Sequence, residues 1–230
     1  MIRSGTAWST SRNHDVTRRR VTPFPLESVP VSGEGIAGPA APRTTLVTGG
    51  VRSGKSTYAE QLATMAAAGG RLFYVAPGPR PDPTQDAEWA ARVDDHRSRR
   101  PASWTTVETA DLDAVINNGS DPVLIDCLGT WVTAVIDELD TWDEPLPAWK
   151  PAFDTRVAAF CDAWQHSERV IIAVSNEVGW GVVPAYRSGR IFADLLGEVN
   201  RRIAAISDRV VLMVAGRPMI IPAVDQGPRE

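Results

Sequence analysis

The sequence predicts an α/β fold in which a mostly parallel sheet carries helices on both faces. Three observations point there. Short apolar segments alternate with longer segments of helical periodicity along most of the chain. The short segments are continuous apolar runs (LFYVA, PVLID, IIAV) rather than alternating ones, which marks strands buried on both sides. One strand-to-helix junction carries the glycine-rich string VTGGVRSGKS, residues 47–56, at the place where such folds bind ligands, the carboxyl end of a strand.

The first 43 residues are rich in Ser, Thr, Arg, Pro and Gly and have no apolar period, so they read as a disordered extension preceding one folded domain over 44–230. Thr44 to Thr48 is a β-branched strand. Ser53 to about Ala68 is helical, with Ala59, Leu62, Ala63 and Ala66 on one face, and Gly69-Gly70 closes it. Arg71 to Ala76 reads as a second buried strand, followed by the irregular loop PGPRPDPTQ. Asp86 to Arg100 reads as a helix stopped by Pro101, Thr105 to Glu108 as a brief strand and Leu112 to Ile116 as a short helix. Pro122 to Asp126 is a strand ending in a carboxylate, and a helix follows from Leu128 to about Leu139. The Trp/Pro-rich segment TWDEPLPAWKP is expected to be a loop before a helix over Phe153 to His166. Val170 to Val174 is a strand, Ile191 to Ser207 a helix, and Val210–Val214 and Met219–Ile221 are closing strands. The loop NEVGWGVVP, 176–184, is either a tight turn using left-handed φ at Gly179 and Gly181 or a substrate or subunit contact.

With 230 residues, 43% of them hydrophobic, the chain has enough material for one full core. A net charge of −4 gives no bulk attraction to nucleic acid or to an anionic membrane. No apolar run is long enough to span a bilayer. Cys127 and Cys161 have neither metal-ligand spacing nor a disulfide framework, which suits a reducing cytoplasm. Small anionic ligands are the expected partners.

Gly49, Gly50, Val51, Arg52, Ser53, Gly54, Lys55 and Ser56 have the spacing G-x-x-x-x-G-K-S between a strand and a helix. In such a P-loop the backbone N–H groups converge on phosphate oxygens, Lys55 neutralises them, and Ser56 can place its hydroxyl on Mg²⁺. Lys55 and Lys150 are the only lysines in an arginine-rich chain, so the ammonium was retained where a compact cation must enter the cradle. Asp126, at a strand end, is the natural second carboxylate for Mg²⁺.

A phosphate cradle does not define a reaction. Asp126-Cys127-Leu128-Gly129 spells the D-x-x-G of regulatory GTPases, but the segment after IIAV is Ser175-Asn176-Glu177-Val178 and lacks the lysine that guanine-specific GTPases use there. A polymer motor has little support from the acidic balance, which leaves a small-molecule transferase. In Arg92-Val93-Asp94-Asp95-His96-Arg97-Ser98-Arg99-Arg100, a helix brings Arg92, His96 and Arg100 to one face. Surrounding guanidinium groups would depress the imidazole pKa and leave a neutral, nucleophilic nitrogen.

The strings TGGVRSGKS, ARVDDHRSRRPASWTTVE, VLIDCLGTWVT, SNEVGWGVVP and FADLLGEVNRRIAAISDRVVLMVAGRP, in this order from Thr44 to Pro222, resemble the bifunctional adenosylcobinamide kinase / adenosylcobinamide-phosphate guanylyltransferase family of cobalamin biosynthesis. The resemblance implies a RecA-like P-loop sheet, a trimer, and adenosylcobinamide with GTP or ATP as substrates. It implies that His96 becomes covalently guanylylated. It also implies nucleotide contacts at Gly49 to Ser56, at Ala76-Pro77-Gly78, at Arg97, Ser98, Arg99 and Arg100, at Glu108 and at Asp126. The sequence departs from the family pattern at Pro77-Gly78, where A-T-S or A-T-A is usual, and at Gly129, where threonine is common. The alternatives are a monofunctional kinase or nucleotidyltransferase on the same scaffold and a nucleotide-binding regulator.

Overall fold

The computed structural model describes residues 41–78, 87–98 and 100–223, all within the unit Ala40–Glu230. Most of the expected N-terminal extension, the segment 79–86, Arg99 and the side chains of 88–90, 92, 95 and 96 lie outside the described residues. Among the described residues, seven strands and six helices follow in the order β1 (Thr44–Gly49), α1 (Lys55–Ala67), β2 (Leu72–Ala76), α2 (Ala87–Ser98), β3 (Trp104–Glu108), α3 (Leu112–Asn117), β4 (Val123–Asp126), α4 (Leu128–Leu139), α5 (Leu146–His166), β5 (Ile171–Val174), α6 (Arg187–Ala205), β6 (Arg209–Val214) and β7 (Arg217–Ile221). They form one sheet in the order β3-β2-β4-β5-β1-β6-β7. Every pairing is parallel except the β6–β7 hairpin, which closes one edge.

The apolar runs are explained by burial on both faces. On one face Leu46, Val123, Ile125, Ile171 and Ala173 meet Leu128, Trp131, Val132, Phe153, Phe160, Leu195 and Val199 from α4, α5 and α6. On the other, Val47, Tyr74, Leu124, Ile172 and Val174 meet Ala59 and Ala63 of α1. Successive residues of one strand thus enter different cores, so neither face tolerates a polar side chain. Alanines suffice on α1 because that helix must approach the sheet closely at the glycine turn preceding it.

The Trp/Pro-rich loop is a correction. Only its first part is irregular, and α5 begins at Leu146 and passes through Pro147 and Pro151. Pro147 lies in the first turn, where a missing N–H costs nothing. Pro151 forfeits one helical hydrogen bond, but Trp149 and Phe153 on the same turn are buried against the core, and burying such side chains is worth about 1.5–3 kcal/mol each. Tertiary packing therefore overrides the proline signal.

The start of β1 is fastened by Asp208, whose Oδ2 accepts the backbone N–H groups of Arg43 (2.8 Å) and Thr44 (2.9 Å), while the Thr44 hydroxyl accepts the Asp208 N–H (2.9 Å). Burial opposes the charge, but the hydrogen bonds from Thr44 and Arg43 outweigh it and hold this carboxyl below its ordinary value of 3.8. Because the folded value is depressed, the contribution is present above the ordinary value and lost as pH falls through the lower one. Asp208→Ala is expected to cost about 1–3 kcal/mol at neutral pH. The deficit relative to wild type should shrink below pH 4 in urea titrations.

Candidate active site

The carboxyl ends of β1, β2, β3 and β4 place Gly49, Ala76, Glu108 and Asp126 along one edge of the sheet. The P-loop leaves β1 as a tight turn, with Ser53 N–H donating to Gly50 O (3.3 Å) and Tyr58 N–H to Gly54 O (3.0 Å) as α1 begins. The chain has φ of 57° at Arg52 and 92° at Gly54, so two left-handed residues turn the backbone N–H groups inward. The β6–β7 turn braces the loop from outside through Gly216 N–H to Ser53 O (2.9 Å). Gly54 caps α1 without any side-chain hydrogen bond, leaving the first-turn donors and the positive dipole end to a ligand.

Gly49 has a steric reason. A Cβ there would lie 2.7 Å from Met213 O and 2.8 Å from Ser53 Oγ, and Ser53 Oγ is itself buried without a hydrogen-bond partner among the described residues. Gly49→Ala is expected to destabilise by about 1–3 kcal/mol, lowering Tm by several degrees, and to weaken nucleotide binding at least tenfold by moving Ser53. Thermal denaturation and nucleotide titration check both.

Lys55 Nζ donates to Gly50 O (3.1 Å), folding the side chain back over the loop. Burial pushes the ammonium below its ordinary pKa, and Cys127 and Asp126 pull in the opposite direction. Burial and then Asp126 push the Cys127 thiol up. A part-buried cation between a glycine turn and a carboxylate has the electrostatics of a phosphate and divalent-cation site. Ser56, in the first turn of α1, adds a hydroxyl. Hydroxyl and carboxylate oxygens are the donors Mg²⁺ takes when phosphates and water complete its shell.

Tyr74 is a residue that sequence reasoning missed. It lies in β2 and is 2% exposed, and its hydroxyl donates to Asp126 Oδ2 (3.0 Å). Burial first, then Asp126, pushes the phenol well above its ordinary pKa, so it remains a donor. The guanidinium of Arg100 lies 3.4 Å from the centre of the Tyr74 ring, and its Nη1 donates to Thr106 Oγ1 (3.1 Å). Arg97 Nη2 donates to Glu108 Oε1 at 2.6 Å. These contacts clamp the C-terminal end of α2 onto β2 and β3, and Arg100 connects it through Tyr74 to Asp126.

This clamp also brings a correction. The helix ends at Ser98, so Arg100 is not on one helical face with Arg92 and His96. It lies in a turn, with its N–H on Arg97 O (3.2 Å). Arg100 precedes Pro101, which disfavours helical backbone there, and its guanidinium packs on Tyr74. His96 belongs to the last turn of α2; its side chain and all of Arg99 lie outside the described residues.

Pro77, Gly78, Arg97 and Glu108 line a cleft of about 690 Å³, together with Thr106, Thr109, Ala110, Ala134, Asp137 and Glu138. Gly78 is close-packed, since a Cβ there would stand 3.2 Å from Thr130 Cβ, so the departure at 77–78 trades a side chain for contact with α4. At Gly129 an added Cβ would stand 3.4 Å from Asn176 Nδ2, which gives that departure a neighbour as well. The 176–184 loop does not use glycine for left-handed turns. Neither Gly179 nor Gly181 has positive φ, and a Cβ at either would meet nothing within 4 Å. Trp180, Val182, Val183 and Tyr186 are exposed there. His166 is exposed at the end of α5, in contact with Asp162, as a surface histidine. Among the described residues no helix is long and apolar enough to cross a membrane.

Comparison with known proteins gives the family. The family model for cobinamide kinase / cobinamide phosphate guanyltransferase matches residues 45–221. The chain is 37% identical over 179 residues to the "Bifunctional adenosylcobalamin biosynthesis protein CobU" of Salmonella typhimurium, covering 74% of this chain and 95% of the relative. It is 36% identical over 181 residues to the Escherichia coli protein of the same name, with the same coverage. It is 35% identical over 178 residues to "Bifunctional adenosylcobalamin biosynthesis protein CobP" of Pseudomonas aeruginosa, covering 76% of this chain and 94% of that one. With its seven-stranded, mostly parallel sheet and P-loop, the chain belongs to the cobinamide kinase / cobinamide phosphate guanyltransferase family.

Proposed function

We propose that the protein carries out two successive reactions at this edge of the sheet. It phosphorylates adenosylcobinamide with GTP or ATP, then transfers GMP from GTP to adenosylcobinamide phosphate through a guanylyl-histidine on His96, giving adenosylcobinamide-GDP. The observation that carries this reading is the chain of contacts from Arg100 over Tyr74 to Asp126, which ties the end of the His96 helix to the phosphate cradle.

In the kinase step, the backbone N–H groups of Gly50 to Gly54 and the α1 N-terminus hold the phosphates, and Lys55 neutralises charge that builds on the γ-phosphoryl group as it departs. Ser56 and Asp126 would hold Mg²⁺, which supplies further charge neutralisation. Tyr74 orients the Asp126 carboxylate by its hydrogen bond. In the transfer step, a ring nitrogen of His96 bonds to the α-phosphorus of GTP as the bond to the β-phosphate oxygen breaks and pyrophosphate leaves. The phosphate of adenosylcobinamide phosphate then bonds to the same phosphorus and releases the imidazole. Covalent catalysis replaces one displacement between two anions by two easier steps. Pro77, Gly78, Arg97 and Glu108, which line the 690 Å³ cleft, bind the nucleotide in this reading, and the family resemblance adds Ala76, Ser98, Arg99 and Arg100 to these contacts.

We also propose that the chain works in the cytoplasm as a homo-oligomer, a trimer. The support for an oligomer is exposed apolar surface on β7 (Met219, Ile220, Ile221) and on the loop bearing Trp180, Val182 and Val183.

The test is product analysis. Incubating the protein with adenosylcobinamide and GTP should yield adenosylcobinamide phosphate and then adenosylcobinamide-GDP by liquid chromatography and mass spectrometry. A single product arrested at the phosphate would mean kinase only, and neither product would overturn the reading.

A further inference from the structure

Glu177 stands beside the phosphate cradle with no role in the machinery above. It follows β5, the strand between β1 and β4, so it emerges at the carboxyl edge between the P-loop strand and the Asp126 strand. Its N–H donates to Gly49 O (3.1 Å), and its Oε1 accepts the hydroxyl of buried Thr48 at 2.7 Å. Among the described residues no other hydrogen bond or ion pair holds this carboxylate.

The bland account is that Glu177 is a strut that secures its loop to β1. The backbone already does that work. Ser175 N–H donates to Val47 O (2.9 Å), Asn200 Nδ2 donates to Asn176 O (3.0 Å) and Ser175 Oγ donates to Asn200 Oδ1 (2.5 Å), so the segment is fixed on both sides without the glutamate side chain. What the Thr48 hydroxyl adds is direction. It occupies one carboxylate oxygen and leaves the other as an acceptor at the start of the glycine turn. Lys55, folded over Gly50, sets the β/γ end of a bound triphosphate at this same end of the loop.

We propose that Glu177 is the general base of the kinase reaction, aimed by Thr48; this rests on the kinase reading above. The oxygen of Glu177 not held by Thr48 takes the proton of the acceptor hydroxyl. The alcohol oxygen bonds to the γ-phosphorus while the bond from that phosphorus to the β–γ bridging oxygen breaks, and the nucleoside diphosphate leaves with the electron pair. The proton passes from the carboxyl to water after the product departs. A positioned base of this kind contributes about 10²–10⁴-fold.

Two variants separate base from strut. Glu177→Gln keeps the amide oxygen that can accept from Thr48 but is no base; Thr48→Val removes the hydrogen bond, is close to isosteric in a strand, and keeps the carboxylate. With adenosylcobinamide and γ-labelled GTP, E177Q is expected to lower kcat by at least about 10²-fold with the nucleotide Kd within about threefold. T48V should cost only about 3–10-fold in kcat. E177Q near wild-type rate, or T48V worse than E177Q, or losses confined to nucleotide Kd, would each overturn the assignment. Melting curves of both variants identify an unfolded one, in which case Glu177→Asp replaces E177Q: retention of the basic group a methylene short should restore part of kcat over E177A, and no difference between these two would count against the base. If wild type itself phosphorylates nothing, the kinase reading fails before the question of its base arises.

Discussion

Lys55→Ala is expected to lower both activities, the kinase kcat/KM by at least about 10³-fold and guanylyl transfer by at least about 10²-fold. Lys55 Nζ is held at 3.1 Å from Gly50 O, part-buried and under the influence of the Asp126 charge. In so little water, each charge it offers a phosphate is worth more than at the surface, and a truncated side chain leaves the carboxylate and the triphosphate to repel one another. Arginine cannot substitute, because a planar guanidinium does not fit the space that the turn leaves to an ammonium. Steady-state assays with adenosylcobinamide and with adenosylcobinamide phosphate separate the two activities. A variant that phosphorylates adenosylcobinamide at the normal rate would mean that the glycine turn is not the phosphate site.

His96→Ala is expected to abolish guanylyl transfer, by more than about 10⁴-fold, and to leave kinase activity within about tenfold of wild type. The asymmetry follows from the roles. Phosphoryl transfer depends on positioning and charge at the P-loop, and the turn after α2 reaches that region through Arg100 stacked on Tyr74 of β2, which the substitution leaves in place. Transfer of GMP needs a nucleophile, and His96 is the only imidazole in the α2 sequence. Equal loss of both activities would point instead to a structural histidine that seats α2.

Much of the fold was legible because the strands are buried on both faces. LFYVA, PVLID and IIAV are continuous apolar runs apart from the Tyr74 hydroxyl and the terminal Asp126, and each became a strand within a residue or two of its expected bounds. The P-loop was legible because its glycines and lysine answer to local geometry and little else. The start of α5 was not, since two prolines speak for a loop locally while Trp149 and Phe153 speak for a helix only once the core they enter is known. Arg100 was misplaced on a helical face although Pro101 after it disfavours helical backbone there, and its stacking on Tyr74 is a contact over 26 positions that no periodicity announces. Tyr74 and Glu177 went unassigned because their significance lies in partners on other strands, Asp126 for one and Thr48 for the other. A buried tyrosine in an apolar run reads as core, and a glutamate in a glycine-rich loop reads as surface.

The most direct test of the two-reaction account uses wild-type protein and GTP labelled at the α-phosphorus. After denaturation and proteolysis, the account predicts acid-labile label on the peptide containing His96, discharged by adenosylcobinamide phosphate before denaturation. Stable absence of label under conditions in which adenosylcobinamide-GDP still forms, or label on any other residue, would contradict it.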